Sequence, residues 1–151
     1  LVCLCGGEKK PSKLINGIAF GSSNKLFKPA RTDFDWLTRD EAIVDSYVAD
    51  PYCGFIFTGG GYRDFFTGLN RLTKVQGVPE DLPVLLFSGE KDPVGSGNGV
   101  NKVAAQLRSA GVKQVDVKLY PDGRHEMLNE LNREEVWKDL TAWMEKTLQQ
   151  S

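Results

Sequence analysis

The strongly apolar run Pro83-Val84-Leu85-Leu86-Phe87 is the strongest constraint on the fold of the chain. A strand that shows one face to water alternates apolar and polar residues, whereas an unbroken apolar run of this length belongs to a strand covered on both faces, as in a parallel sheet between helices. Turn formers precede the run at Gly77-Val78-Pro79-Glu80-Asp81, and it ends at Ser88-Gly89-Glu90-Lys91-Asp92-Pro93. Residues 98–110 then predict a helix with Val100, Val103, Ala104 and Leu107 inward and Gly111 as its stop. Val115, Val117 and Leu119 alternate with Asp116, Lys118 and Tyr120, which predicts a second strand with a polar face, on the edge side. That strand stops at Pro121-Asp122-Gly123-Arg124-His125. Asn132 with Glu135 reads as the cap of a final helix carrying Val136, Leu140, Trp143, Met144 and Leu148. The second half is therefore a β-α-β-α unit, with a right-handed first crossover expected.

The first half is less regular. Gly17, Gly21, Ser22, Ser23, Asn24 and Pro29 break up short apolar pieces over residues 1–35, leaving room for one or two short helices. Thr38-Arg39-Asp40-Glu41 reads as a capping box for an amphipathic helix through Ala42, Ile43, Tyr47 and Val48, ended by Asp50-Pro51. After a break at Gly59-Gly60-Gly61, the residues Tyr62, Phe65, Phe66, Leu69 and Leu72 form one helical stripe.

With 151 residues, one domain is the starting expectation. Nineteen basic against twenty acidic residues leave a net charge of -1, so bulk charge indicates neither nucleic acid nor an anionic membrane surface as a partner. No run approaches the ~18–20 apolar residues of a membrane span, and a soluble protein without an integral membrane segment is expected. The opening Leu-Val-Cys-Leu-Cys, followed by Gly6-Gly7 and Glu8-Lys9-Lys10, is no complete secretory signal, and a start at Leu1 reads as trimmed. Three cysteines, Cys3, Cys5 and Cys53, cannot all pair internally and read as reduced thiols, hence a cytoplasmic protein. Cys3-x-Cys5 has the spacing to hold a soft metal, but a single His in the chain favours ordinary thiols. Neither a metal nor an organic cofactor is implied.

Parallel sheets carry function at the carboxyl ends of their strands. Asp92 and His125 each fall just past such an end, and the intervening stretch suits one helix plus one returning strand, so both side chains can reach the same rim. A hydrolase with an activated nucleophile needs an imidazole to take and return a proton and a carboxylate to fix its tautomer. An Asp before Pro is also an ordinary solvated turn, and a loop histidine an ordinary surface residue; it is the pairing that favours the catalytic reading.

Ser88-Gly89-Glu90-Lys91-Asp92-Pro93-Val94-Gly95 resembles the acid motif of the α/β-hydrolases related to monoacylglycerol lipases and bacterial lysophospholipases. The stretch Tyr120-Pro121-Asp122-Gly123-Arg124-His125-Glu126-Met127-Leu128-Asn129-Glu130 resembles their histidine motif. Residues 34–41 and 47–55 resemble the return from cap to core in the same family, so the similarity covers nearly the whole chain. The resemblance implies the C-terminal half of an α/β-hydrolase fold, a cap segment followed by the last two parallel strands and their helices. It assigns residues 1–57 to the cap and 58–151 to the core. It further implies a serine esterase acting on a small acyl ester or lipid, with Asp92 as triad acid and His125 as general base. Phe20, Phe27, Phe34 and Trp36 then become candidates for an acyl pocket, or for ordinary packing.

The chain departs from the family in lacking the Gly-x-Ser-x-Gly nucleophile elbow: neither Gly21-Ser22-Ser23-Asn24-Lys25 nor Gly95-Ser96-Gly97-Asn98-Gly99 has Ser at its centre. Nucleophile and oxyanion hole are therefore expected in an N-terminal half carried elsewhere, the present chain being inactive by itself. Two strands also make a poor sheet, so packing against that half, or self-association in its place, is expected. Two other readings stay open: a relative with an Asp nucleophile, as in epoxide hydrolases and dehalogenases, and a non-catalytic interaction remnant.

Overall fold

The computed structural model describes residues 7–72 and 75–149; Cys3 and Cys5, with the soft-metal reading placed on them, lie outside the described residues. The two expected strands, β1 (Val84–Gly89) and β2 (Val115–Tyr120), pair in parallel, with Val84 opposite Val115 and Gly89 opposite Tyr120. Between them runs α4 (Ser96–Ser109), and after them α5 (Arg133–Leu148). The period-two alternation of the strands sends successive side chains to opposite faces. Val84, Leu86, Val115 and Val117 pack with Ala104 and Leu107 of α4, while Phe87 and Tyr120 pack with Val136 and Leu140 of α5. Each fully buried aliphatic side chain in these two clusters contributes roughly 1.5–3 kcal/mol, so the helices hold the pair of strands from both sides.

The first half supplies α1 (Lys13–Phe20), a short 3-10 turn at Ser23–Phe27, α2 (Glu41–Ala49) and α3 (Gly59–Arg71). The capping box needs correction. Asp40 caps α2, accepting from the Ala42 and Ile43 amides, because Thr38 is drawn into the interior, where its hydroxyl donates to the Asn129 carbonyl at 3.0 Å. The three glycines do not break a helix but begin α3. Thr58 caps it, and the Gly59 and Gly60 amides donate to the Lys10 and Glu8 carbonyls, a crossing that leaves little room for a side chain at Gly60. Asn132 precedes α5 without capping a backbone amide; its side chain instead bridges Glu135 and Arg39. α4 starts two residues before the expected Asn98, after Gly95 at φ +135°.

Among the described residues, β2 is the one strand paired with β1. Leu82, just before β1, is exposed, and the exposed Val94 and Val103 share a shallow pocket with Leu86, Phe87 and Ser88 of β1. No described helix is long and apolar enough to cross a membrane.

Candidate active site

Because Gly89 and Tyr120 close the two strands in register, the chain leaves both at the same rim. The loops that follow are bonded to each other: the Glu90 amide donates to the Tyr120 carbonyl at 3.0 Å and the Lys91 amide to the Gly123 carbonyl at 2.9 Å. Asp122 takes the left-handed conformation at φ 57°, which an Asp accommodates better than most residues, and the turn brings residues 123–124 over Gly89. A Cβ at Gly89 would overlap the backbone carbonyls of Gly123 and Arg124. Space, not dihedral freedom, demands glycine here. Gly89→Ala should force the two loops apart and destabilise the chain by about 3 kcal/mol, the upper end of overpacking costs, measured by urea unfolding; a wild-type midpoint would show that the loops do not approach this closely.

The two loops bring Asp92 and His125 together. His125 Nδ1 lies 3.1 Å from both carboxylate oxygens of Asp92, and Asp92 Oδ1 also accepts the Val94 amide at 2.8 Å. The carboxylate is nearly covered, its side chain 11% exposed, while the imidazole keeps 37% of its surface. Among the described residues no hydrogen bond engages His125 Nε2, and the imidazole is partly exposed. The hydrogen bond His125 makes to Asp92, helped by the carboxylate's charge, outweighs burial and raises the His125 pKa above its usual value. Burial acts to raise the Asp92 carboxyl, but the bonds from His125 and from the Val94 amide outweigh it and leave the carboxyl below the usual carboxylate range. Such a pair can hold a proton on Nδ1 and leave Nε2 as an acceptor, the requirement for general-base work.

Residues 35–40 support the histidine loop. The His125 amide donates to the Trp36 carbonyl at 3.4 Å and the Glu126 amide to the Leu37 carbonyl at 2.8 Å. The Trp36 ring leans on the imidazole with centroids 5.0 Å apart. The Arg124 guanidinium donates to the carbonyls of Asp35 and Thr38 and lies 4.3 Å over the Phe27 ring. Glu130, fully buried, accepts from Arg39 and Arg124. Arg39 and Glu130 fall inside motifs in the sequence without a role of their own, and no local pattern signals that they meet.

A cavity of about 720 Å³ opens in the first half, lined by Phe20, Phe34, Trp36, Tyr47 and Phe57 among others. Phe27, expected there, is instead taken up beneath Arg124. Trp36 both lines this cavity and lies against the imidazole, while neither Asp92 nor His125 lines the cavity itself. Among the described residues no cluster of His, Cys, Asp and Glu is suited to a metal ion.

Residues 7–132 match the family model described as serine aminopeptidase, S33. A monoacylglycerol lipase of Mycolicibacterium smegmatis is 31% identical over 116 residues, 74% of this chain and 39% of that protein. A highly thermostable carboxyl esterase from Bacillus coagulans superposes with a TM-score of 0.85 at 24% identity, over 97% of this chain and 49% of its own. A soluble variant of monoglyceride lipase from Saccharomyces cerevisiae superposes with a TM-score of 0.62 at 21% identity, over 89% and 50%. At such identities the two superpositions speak for a common α/β-hydrolase fold. The chain spans half or less of the length of each of these relatives.

Proposed function

Since the chain belongs to the α/β-hydrolase family described as serine aminopeptidase, S33, we propose that it is the C-terminal part of a serine carboxylester hydrolase of the monoacylglycerol lipase or lysophospholipase type. The observation that carries the reading is the 3.1 Å approach of His125 Nδ1 to both oxygens of Asp92 at the ends of adjacent parallel strands. Asp92 holds the imidazole with its proton on Nδ1. Nε2 then takes the proton of a serine supplied by the N-terminal half, whose oxygen attacks the acyl carbon. Collapse of the tetrahedral intermediate breaks the ester C–O bond, and His125 returns the proton to the leaving alcohol. Water repeats the cycle on the acyl-enzyme, releasing the acid and the free serine.

Residues 1–57 act as the cap, with the aromatic cavity receiving the acyl chain, and 58–151 as the end of the core. The edge of β1 away from β2, unpaired among the described residues, is the seat of the N-terminal half, which supplies further strands together with nucleophile and oxyanion hole. Self-association through that edge is the competing arrangement. Co-expression of this chain with its N-terminal half should give turnover of a short p-nitrophenyl ester that neither half gives alone. Turnover of an aminoacyl p-nitroanilide with none of the ester would replace the esterase by a peptidase; ester turnover by this chain alone would remove the split triad.

A further inference from the structure

We propose that Glu130 is a positioning residue for His125, acting through the backbone of Arg124; the proposal rests on the hydrolase reading and deepens it. Glu130 follows the short 3-10 turn Met127–Asn129 and is 0% exposed. A carboxylate taken wholly out of water is retained only where it is paired and hydrogen-bonded, and four N–H donors converge on this one. Oε1 accepts from the Arg124 amide at 2.9 Å and the Arg39 amide at 3.2 Å. Oε2 accepts from Arg39 Nε at 2.8 Å and the Leu131 amide at 3.0 Å.

The consequence for the imidazole follows from the neighbouring amides. Three consecutive amides, of Arg124, His125 and Glu126, each meet a fixed acceptor: Glu130, the Trp36 carbonyl and the Leu37 carbonyl. Two of those acceptors are backbone. Glu130 is the one side chain among them, and it ties the Gly123–Arg124 peptide to Arg39 in the segment that also carries Trp36. Release of the Arg124 amide loosens the backbone one residue ahead of His125, whose side chain must meet Asp92 within hydrogen-bonding reach. Asp92 and Glu126 are the charged groups that set the imidazole's protonation, and neither is touched when Glu130 is changed.

The test uses the fact that His125 is the only histidine of the chain. With isotope-labelled histidine confined to this chain, the titration of one imidazole is resolved by NMR, with or without an unlabelled N-terminal half. Glu130→Gln is nearly isosteric. Its remaining oxygen should stay with the charged Arg39 guanidinium, the stronger donor, turning the NH2 toward the Arg124 amide. The His125 midpoint should then fall from its raised wild-type position toward 6.5, the ordinary value, and Glu130→Ala should bring it lower still. Arg133→Gln, which removes the Arg133 bonds to Asp40 at 2.8 Å and to the Glu130 carbonyl at 3.3 Å but none of the four on the Glu130 carboxylate, should lower the melting temperature and leave the midpoint in place. A folded Glu130→Gln with the wild-type midpoint overturns the proposal, as does an equal fall in Arg133→Gln. In either case a raised wild-type midpoint leaves the Asp92–His125 pair standing, whereas a wild-type midpoint already at 6.5 removes the pair and the proposal together.

Discussion

Replacing His125 by alanine in the assembled enzyme is expected to lower kcat for a short ester on the order of 10⁶-fold, the scale seen when the base of a Ser-His-Asp triad is removed. The KM should stay nearly unchanged, because the aromatic cavity proposed to take the acyl chain is walled by Phe20, Phe34 and Trp36 rather than by the imidazole. Folding should survive. The His125 side chain is partly exposed, and the residue's tie to the scaffold is its backbone amide, which donates to the Trp36 carbonyl and is retained in alanine. Loss of stability should therefore stay within about 1 kcal/mol, as for substitutions away from buried features. Steady-state kinetics paired with size-exclusion chromatography decide the matter: turnover within tenfold of wild type, with assembly intact, would take His125 out of the chemistry. The non-catalytic reading predicts that outcome.

The second half was the more legible in sequence because its signals are periodic and local. An unbroken apolar run, a helix at 3.6 spacing and an alternating strand admit few arrangements, and the parallel pairing of Val84–Gly89 with Val115–Tyr120 is the short-crossover solution. The juxtaposition of positions 92 and 125 followed from that topology without any side-chain detail. What was not legible lies in the first half, where contacts are made across long separations. Thr38 reads locally as a cap, yet its hydroxyl is spent on Asn129, 91 residues away. Glu130 and Arg39, equally far apart, meet as a buried ion pair that no spacing rule connects. The glycine triplet looks like a break until a crossing segment at residues 8–10 is there to require it. Phe27 looks like a pocket aromatic until Arg124 is found above it. Tertiary partners, not local propensity, decide each of these.

The wall shared by cavity and imidazole gives the assembly a further property. Trp36 touches His125 with its ring, accepts the His125 amide with its carbonyl and is itself held through its amide by Asn24 Oδ1 at 2.8 Å. On the proposed reading a substrate chain lying along the cavity would press on Trp36 beside His125, so acyl length should register in kcat as well as in KM.

Asp92→Asn should cost less than loss of the imidazole, about 10⁴-fold in kcat, since the geometry survives while the tautomer does not. Asparagine can keep its oxygen on the Val94 amide, the 2.8 Å bond of the wild type. Its NH2 then faces His125 Nδ1 and makes that nitrogen an acceptor. The ring proton moves to Nε2, where it blocks the uptake of the nucleophile's proton. The pH profile separates this from simple misfolding. In the wild type the Asp92 hydrogen bond raises His125 above 6.5, so the acid limb of kcat/KM, which reports the neutral base, lies above that value. In Asp92→Asn the limb should move down even as the rate falls. Stability should change with pH in a matching way. A raised His125 contributes below its unfolded pKa of 6.5 and loses that contribution as pH rises through the folded value. A lowered Asp92 contributes above 3.8 and loses it as pH falls. The difference in melting temperature between wild type and Asp92→Asn should therefore be largest between about pH 3.8 and 6.5 and shrink on either side; a difference independent of pH, with the acid limb unmoved, would mean that the carboxylate does not hold the imidazole.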